Sequence, residues 1–265
     1  MSAVERADVP YEEAPPRDPR RPALPDVPVR LGLYGPLRVI GRGVMRLMFD
    51  LRVGHADAVP STGPVLLAGN HRGILDAPMI VAFVPRPARF LAKSELFRGW
   101  LVRPLGWLGQ IPVDRGRPDR EALRRALEVL RAGHVFGMFP EGSRGTGALT
   151  TIQHGIAYVA LRSPGVPIVP VACIGTERAW PKGSKLPRLR SRVDIVFGEP
   201  FTIAVPPNPR ARSAVAAAAE EIRTALAAHV AEAERAVAER DSRRRRARLA
   251  RAEARRRPAD RGGHR

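Results

Sequence analysis

A single cysteine, Cys173, in a chain of 265 residues rules out an intramolecular disulfide. It stands in the apolar run Ile168-Val-Pro-Val-Ala-Cys-Ile174, where a buried strand thiol is expected rather than a nucleophile. The six His are scattered and no Cys/His spacing suits zinc, so no metal is expected. Apolar runs such as Ala77 to Pro85 fall short of the ~20 residues that a bilayer span needs. The first residues are polar and of mixed charge rather than basic and then apolar, so no secretory leader is read and a cytoplasmic protein is expected. Acidic residues are also scarce, 26 against 45 Lys and Arg, which leaves a formal charge of +19. That excess is uneven: residues 240–265 hold twelve Arg against Asp241, Glu253 and Asp260, a net of +9. Such a tail attracts polyanions, and charge alone does not choose between nucleic acid and anionic lipid.

What is present divides the chain into three parts. Residues 1–29 contain seven Pro and few large apolar side chains, a composition that cannot support a core, so a disordered leader is expected. Residues 30–240 carry periodic apolar patterns and are read as one domain. Residues 241–265 are read as a disordered Arg-rich tail.

The domain opens on an amphipathic pattern from Leu31 to Leu51. Leu33, Leu37, Ile40, Val44 and Leu47 recur at helical spacing, with Arg38, Arg42 and Arg46 every fourth residue on another side. This helix is expected either to pack on the domain by its apolar face or to lie in a membrane interface with its Arg toward lipid phosphates. A loop is expected from Gly54 to Gly63, then strand-like runs at Val65–Ala68, Ala88–Ala92, Gln110–Arg115, Val135–Phe139, Val166–Ile174 and Val193–Phe197. Helical segments alternate with them: Asp76–Phe83, one capped by Asp119 and closed by Gly133, Ile152–Arg162, and a long Ala-rich helix from about Arg210 to Arg240. Alternating strands and helices predict an α/β fold with a mainly parallel sheet flanked by helices. In such sheets the loops after the strands gather into one crevice.

Three of the segments that follow those runs carry unusual chemistry. Asn70-His71-Arg-Gly-Ile-Leu-Asp76 follows the first run of the core, and Asp76 is expected to cap the next helix. Five positions separate His71 from Asp76, which is poor spacing within one helix but open to a loop that folds back. The Asp76 carboxylate could then accept the imidazole Nδ1 proton and leave Nε2 to take one from a substrate hydroxyl. Pro140-Glu141-Gly142-Ser143-Arg144-Gly-Thr-Gly147 follows a later strand, and Asp114-Arg115 ends another. Arg binds phosphate with a fork of donors, and the glycines let backbone amides approach an anion.

Together these blocks resemble the glycerolipid acyltransferases, the family of 1-acylglycerol-3-phosphate acyltransferase. Asn70-His71-Arg-Gly-Ile-Leu-Asp76 is similar to its N-H-x-x-x-x-D motif, Gly109–Arg115 to its G-x-x-x-x-x-R block, Phe139-Pro-Glu-Gly-Ser-Arg144 to F-P-E-G-[ST]-R, and Ile168-Val-Pro-Val171 to V-P-[VI]. The resemblance covers roughly residues 53–203. It departs at Pro112, where a bulky apolar residue is common, and at Gln153, where many members carry Lys before Gly. It implies transfer of a fatty acyl group from an acyl-CoA or acyl carrier protein thioester to the free hydroxyl of 1-acyl-glycerol-3-phosphate, with no cofactor. It further implies His71 as general base, Asp76 as its orienter, and Asn70, Arg115, Glu141, Gly142, Ser143 and Arg144 as substrate-binding residues. The same resemblance implies a lysophospholipid acceptor, and with such a substrate the basic helix and the Arg-rich tail lead to the expectation of anionic lipids at a membrane surface and a peripheral position on the inner face of the cell membrane. Glycerol 3-phosphate or another lysophospholipid is the alternative acceptor. A hydrolase using His71 with water and a basic nucleic-acid-binding protein are the rivals. The second is disfavoured because the tail lacks interleaved aromatics.

Overall fold

Strand β2 (Val65–Gly69) is buried along its whole length, which is why its sequence is apolar without alternation. The structure is a computed structural model that describes residues 31–113, 119–145 and 147–256. With β3 (Ala88–Lys93), β4 (Ile111–Val113), β5 (Val135–Met138) and β6 (Ile168–Ile174), β2 forms a parallel sheet in the order β6-β2-β5-β3-β4. Beyond β6 the sheet gains β7 (Arg192–Phe197), antiparallel to β6, and then β1 (Asp50–Gly54), parallel to β7.

Side chains of successive strand residues point to opposite faces, so each central strand supplies two cores. Leu66 and Ala68 of β2 pack with α4 (Arg120–Arg131), α5 (Gly155–Leu161) and the first part of α7 (Arg212–Arg256). Val65 and Leu67 pack on the other face with α1 (Leu31–Met48) and α2 (Asp76–Phe83). Short helices α3 (Val102–Trp107) and α6 (Thr176–Ala179) complete the connections. The expected α/β architecture is therefore present, and Asp119 caps α4 as its spacing predicts, accepting the Ala122 N–H at 3.0 Å. Gly133 closes that helix at φ +75°, a conformation that favours glycine.

Four expectations need correcting. The first helix ends at Met48 rather than Leu51, and residues 50–54 form an edge strand that begins within the expected helical pattern and ends at Gly54, where the loop was expected to start. Its partner β7 lies 142 residues away, as Asp50 opposite Arg192, so no local pattern announces it. Second, α1 presents the opposite face to the domain from the one its apolar stripe suggests. Tyr34 is buried, Met45 and Met48 pack on the core, and Ile40, Val44 and Leu47 are exposed. Arg38 points inward: its Nε donates to Ala82 O at 3.4 Å, and its other nitrogens donate to Val84 O and Pro85 O. Arg42 Nε donates to Ala82 O at 2.5 Å, so both guanidiniums satisfy carbonyls that the end of α2 leaves open. Third, Asp76 does not cap α2; it is the first helical residue, with Leu75 at the cap position. Last, α7 continues through Arg256, so residues 241–256 are helical where disorder was expected. The leader, residues 1–29, and the end of the tail from 257 lie outside the described residues.

Candidate active site

The loop after β2 folds back because Asp76 gathers it. Its Oδ2 accepts the His71 Nδ1 proton at 2.8 Å and the backbone N–H groups of Arg72 and Gly73, each at 2.8 Å. Three donors on one buried oxygen hold the turn and select the tautomer that bears hydrogen on Nδ1. Gly73 makes the turn possible, since a Cβ there would sit 2.8 Å from the Thr176 carbonyl carbon. The imidazole is also stacked on Phe139, with ring centroids 4.3 Å apart and planes 12° from parallel. Gly69 leaves room for that ring, because an added Cβ would lie 2.9 Å from it. His71 is 6% exposed, and its Nε2 takes no hydrogen bond among the described residues. A ring clamped on one nitrogen and stacked on one face leaves the other nitrogen free to exchange a proton.

The loop after β5 reaches the same point from the neighbouring strand. Glu141 Oε1 accepts the His71 N–H at 2.7 Å, and the Gly145 N–H donates to His71 O at 3.0 Å. Burial pushes the Glu141 carboxyl pKa up, and the hydrogen bond from the His71 amide pulls it down. Gly142, at φ +70°, turns the chain at the rim, and Ser143 and Arg144 are exposed there. Gln153, at a departure from the family pattern, donates its N–H to Pro140 O at 2.7 Å and packs its side chain against Gly142. Asp114 and Arg115 lie outside the described residues.

Asn70 engages the backbone of β6. It is fully buried, accepting the Cys173 N–H at 2.7 Å and donating Nδ2–H to Cys173 O at 3.1 Å. Its amide thus acts as a backbone segment pairing with β6 where β2 ends. Burial pushes the Cys173 thiol well above its ordinary pKa, which keeps it protonated and unreactive as its apolar run suggests.

Three contributions escaped sequence reading. Phe139 stacks on His71 although its motif position gave no hint of that contact. Thr176 lies beneath Gly73. Arg72 pairs with Glu234 of α7, which is 162 residues away and outside every motif. A Cβ at Gly147 would meet the Arg72 Nε at 2.3 Å, so the loop after β5 closes over the Arg72 side chain.

Residues 50–174 match the Acyltransferase family. The chain is 26% identical over 160 residues to the 1-acyl-sn-glycerol-3-phosphate acyltransferase of Bacillus subtilis, covering 60% of this chain and 77% of that one. It is 30% identical over 166 residues to the enzyme of the same name from Limnanthes alba, covering 60% of this chain and 58% of that one. The crystal structure of the 1-acyl-sn-glycerophosphate acyltransferase PlsC from Thermotoga maritima superposes with a TM-score of 0.61 at 25% identity, over 76% of this chain and 80% of that one. With the four motif blocks in order and the His71–Asp76 pair assembled, the chain is similar in sequence to these acyltransferases over its central residues and shares its fold with a solved one.

Proposed function

We propose that the chain moves a fatty acyl group from the thioester of acyl-CoA or acyl carrier protein to the free hydroxyl of 1-acyl-glycerol-3-phosphate, with His71 as the general base. The geometry at His71 carries this reading: Nδ1 is held by Asp76 at 2.8 Å and Nε2 is unengaged among the described residues. As the acceptor oxygen attacks the thioester carbonyl, its proton passes to Nε2. The imidazolium so formed is stabilised by Asp76 and returns the proton to the sulfur when the C–S bond breaks, giving ester and free thiol. Thiolate is a good leaving group, so no acyl-enzyme is required. Glu141 and Gly145 fix the backbone of the base, while Gly142, Ser143 and Arg144 line the rim where the acceptor phosphate meets N–H and guanidinium donors. Arg115 is assigned the same duty by its motif alone.

The protein is proposed to act as a peripheral protein on the inner face of the cell membrane. Supporting this, α1 turns Ile40, Val44 and Leu47 outward in one stripe while Arg38 and Arg42 turn inward. Among the described residues no helix is long and apolar enough to cross a membrane.

The test is thiol release from oleoyl-CoA with and without lysophosphatidate. Wild type is expected to release thiol only with acceptor and to form a diacyl product, and His71→Ala to lose at least about 100-fold in rate. Release of equal size without acceptor would instead indicate a hydrolase.

A further inference from the structure

The Arg-rich end of α7 has a place in the fold. Arg240 holds it there, its two terminal nitrogens donating to Asp194 of β7 at 2.7 and 2.9 Å. Arg192 pairs with Asp241 at 2.9 Å and with Asp50 at 3.4 Å, and Arg243 pairs with Glu239 at 3.6 Å. These contacts use up the nearby carboxylates. Arg244, Arg245 and Arg248 have no acidic partner among the described residues, and with Arg192 they line a groove of about 390 Å³. Positions 244, 245 and 248 lie on one helical face with Asp241, so the groove holds four guanidiniums against one carboxylate. Like charges three and four residues apart destabilise a helix unless an anion lies among them.

The groove lies at a particular edge. Because β7 is antiparallel to β6, the start of β7 lies beside Ile174, at the C-terminal ends of the parallel strands where His71 stands. Exposed apolar residues cluster at the same edge: Leu186 and Leu189 before β7, Leu47 at the end of α1, and Ile74 in the loop of the base. The first three are joined, since the Arg190 N–H donates to Met48 O at 2.6 Å. Lys182, Lys185 and Arg188 are exposed between and around those leucines. Leucines beside unpartnered Lys and Arg suit a surface with phosphate on the outside and hydrocarbon beneath. A single-stranded nucleic acid would call for stacking aromatics, and the groove is lined by none.

We propose that the groove formed by Arg192, Arg244, Arg245 and Arg248 binds the phosphate groups of anionic phospholipids and thereby seats the His71 edge of the sheet on the bilayer. This rests on the reading of the protein as a lipid-modifying enzyme, and it adds a second anchor to the apolar stripe of α1.

The experiment compares the full-length protein with the triple variant Arg244→Glu, Arg245→Glu, Arg248→Glu, and with the milder triple Gln variant. Each is sedimented with vesicles of phosphatidylcholine alone or of phosphatidylcholine with phosphatidylglycerol, and each is assayed on a soluble short-chain acceptor. The expected result is that the Glu variant binds phosphatidylglycerol vesicles at least about tenfold more weakly, the Gln variant falls between, and turnover of the soluble acceptor is unchanged. Equal binding by wild type and both variants overturns the proposal. So does release of wild type from the vesicles by millimolar inorganic phosphate or CoA, which would mark a site for soluble phosphate. Displacement by single-stranded RNA at lower concentration than by lipid overturns it in favour of a nucleic-acid partner. Absence of turnover in wild type would reject the acyl-transfer reading while leaving the vesicle result to stand by itself.

Discussion

Asp76 is asymmetric: Oδ2 carries three hydrogen bonds, and Oδ1 is buried without one among the described residues. The carboxylate is therefore committed to orienting His71 and closing its loop, and it is fully buried. Asn at this position keeps an acceptor for the loop amides but removes the charge that stabilises the imidazolium. Asp76→Asn is expected to lower kcat by about 10²- to 10⁴-fold with little change in KM for lysophosphatidate, measured in steady state. A rise in KM at unchanged kcat would give Asp76 a role in binding instead. Glycines act at the same scale: Gly69 and Gly73 allow the ring of Phe139 and the backbone of Thr176 to approach the loop, contacts that any side chain would block.

At the scale of elements, α4 and α7 are held by Arg–carboxylate pairs of unequal setting. In the first turn of α4, the hydrogen bond from Arg124, with help from Arg125, holds the Glu121 carboxyl at about 2 despite partial burial. A carboxyl depressed in the folded protein stabilises it above the ordinary carboxylate pKa, and that contribution is lost as pH falls through the folded value. The advantage in Tm of wild type over Glu121→Gln is therefore expected to be present at pH 7 and to fade between about pH 5 and about pH 2, as followed by calorimetry. The side chain is partly exposed, so solvent screening keeps the effect small. An advantage that grew on acidification would contradict the assignment. Helix α7 is tied at Glu234 to Arg72 beside His71 and at Arg240 to Asp194, so one helix braces both the His71 loop and the edge of the sheet.

For the whole molecule, His71, the exposed leucines and the Arg groove share one edge, while α1 lays a further apolar stripe outward. Ile40 and Leu47 are 62% and 84% exposed, so changing them costs little folding energy and alters mainly what the surface can touch. Ile40→Glu with Leu47→Glu is expected to weaken vesicle binding at least about tenfold and to shift Tm by no more than about 2 °C. Arg42→Glu is expected to do the reverse, lowering Tm through the lost contact with the Ala82 carbonyl. Vesicle binding unaffected by the first pair would return α1 to a purely structural role.

Local chemistry determined much of this protein before any coordinates. Alternating apolar runs and helical periodicities dictated an α/β fold with a parallel sheet, and the four blocks singled out His71, Asp76 and the rim loop in order. Those features were legible because a strand buried on both faces must be apolar throughout, and because a hydrogen-bonded His–Asp pair five residues apart is a local construction. Tertiary structure alone decided the rest. Asn70 and Glu141 became struts of the loop because strands distant in sequence end beside them. Edge strand β1 exists because β7 offers unpaired backbone groups 142 residues later. The facing of α1 was set by the open carbonyls at the end of α2, which draw Arg38 and Arg42 inward and leave Ile40, Val44 and Leu47 outside. Such choices depend on partners that meet only after folding, so composition and spacing hold no trace of them.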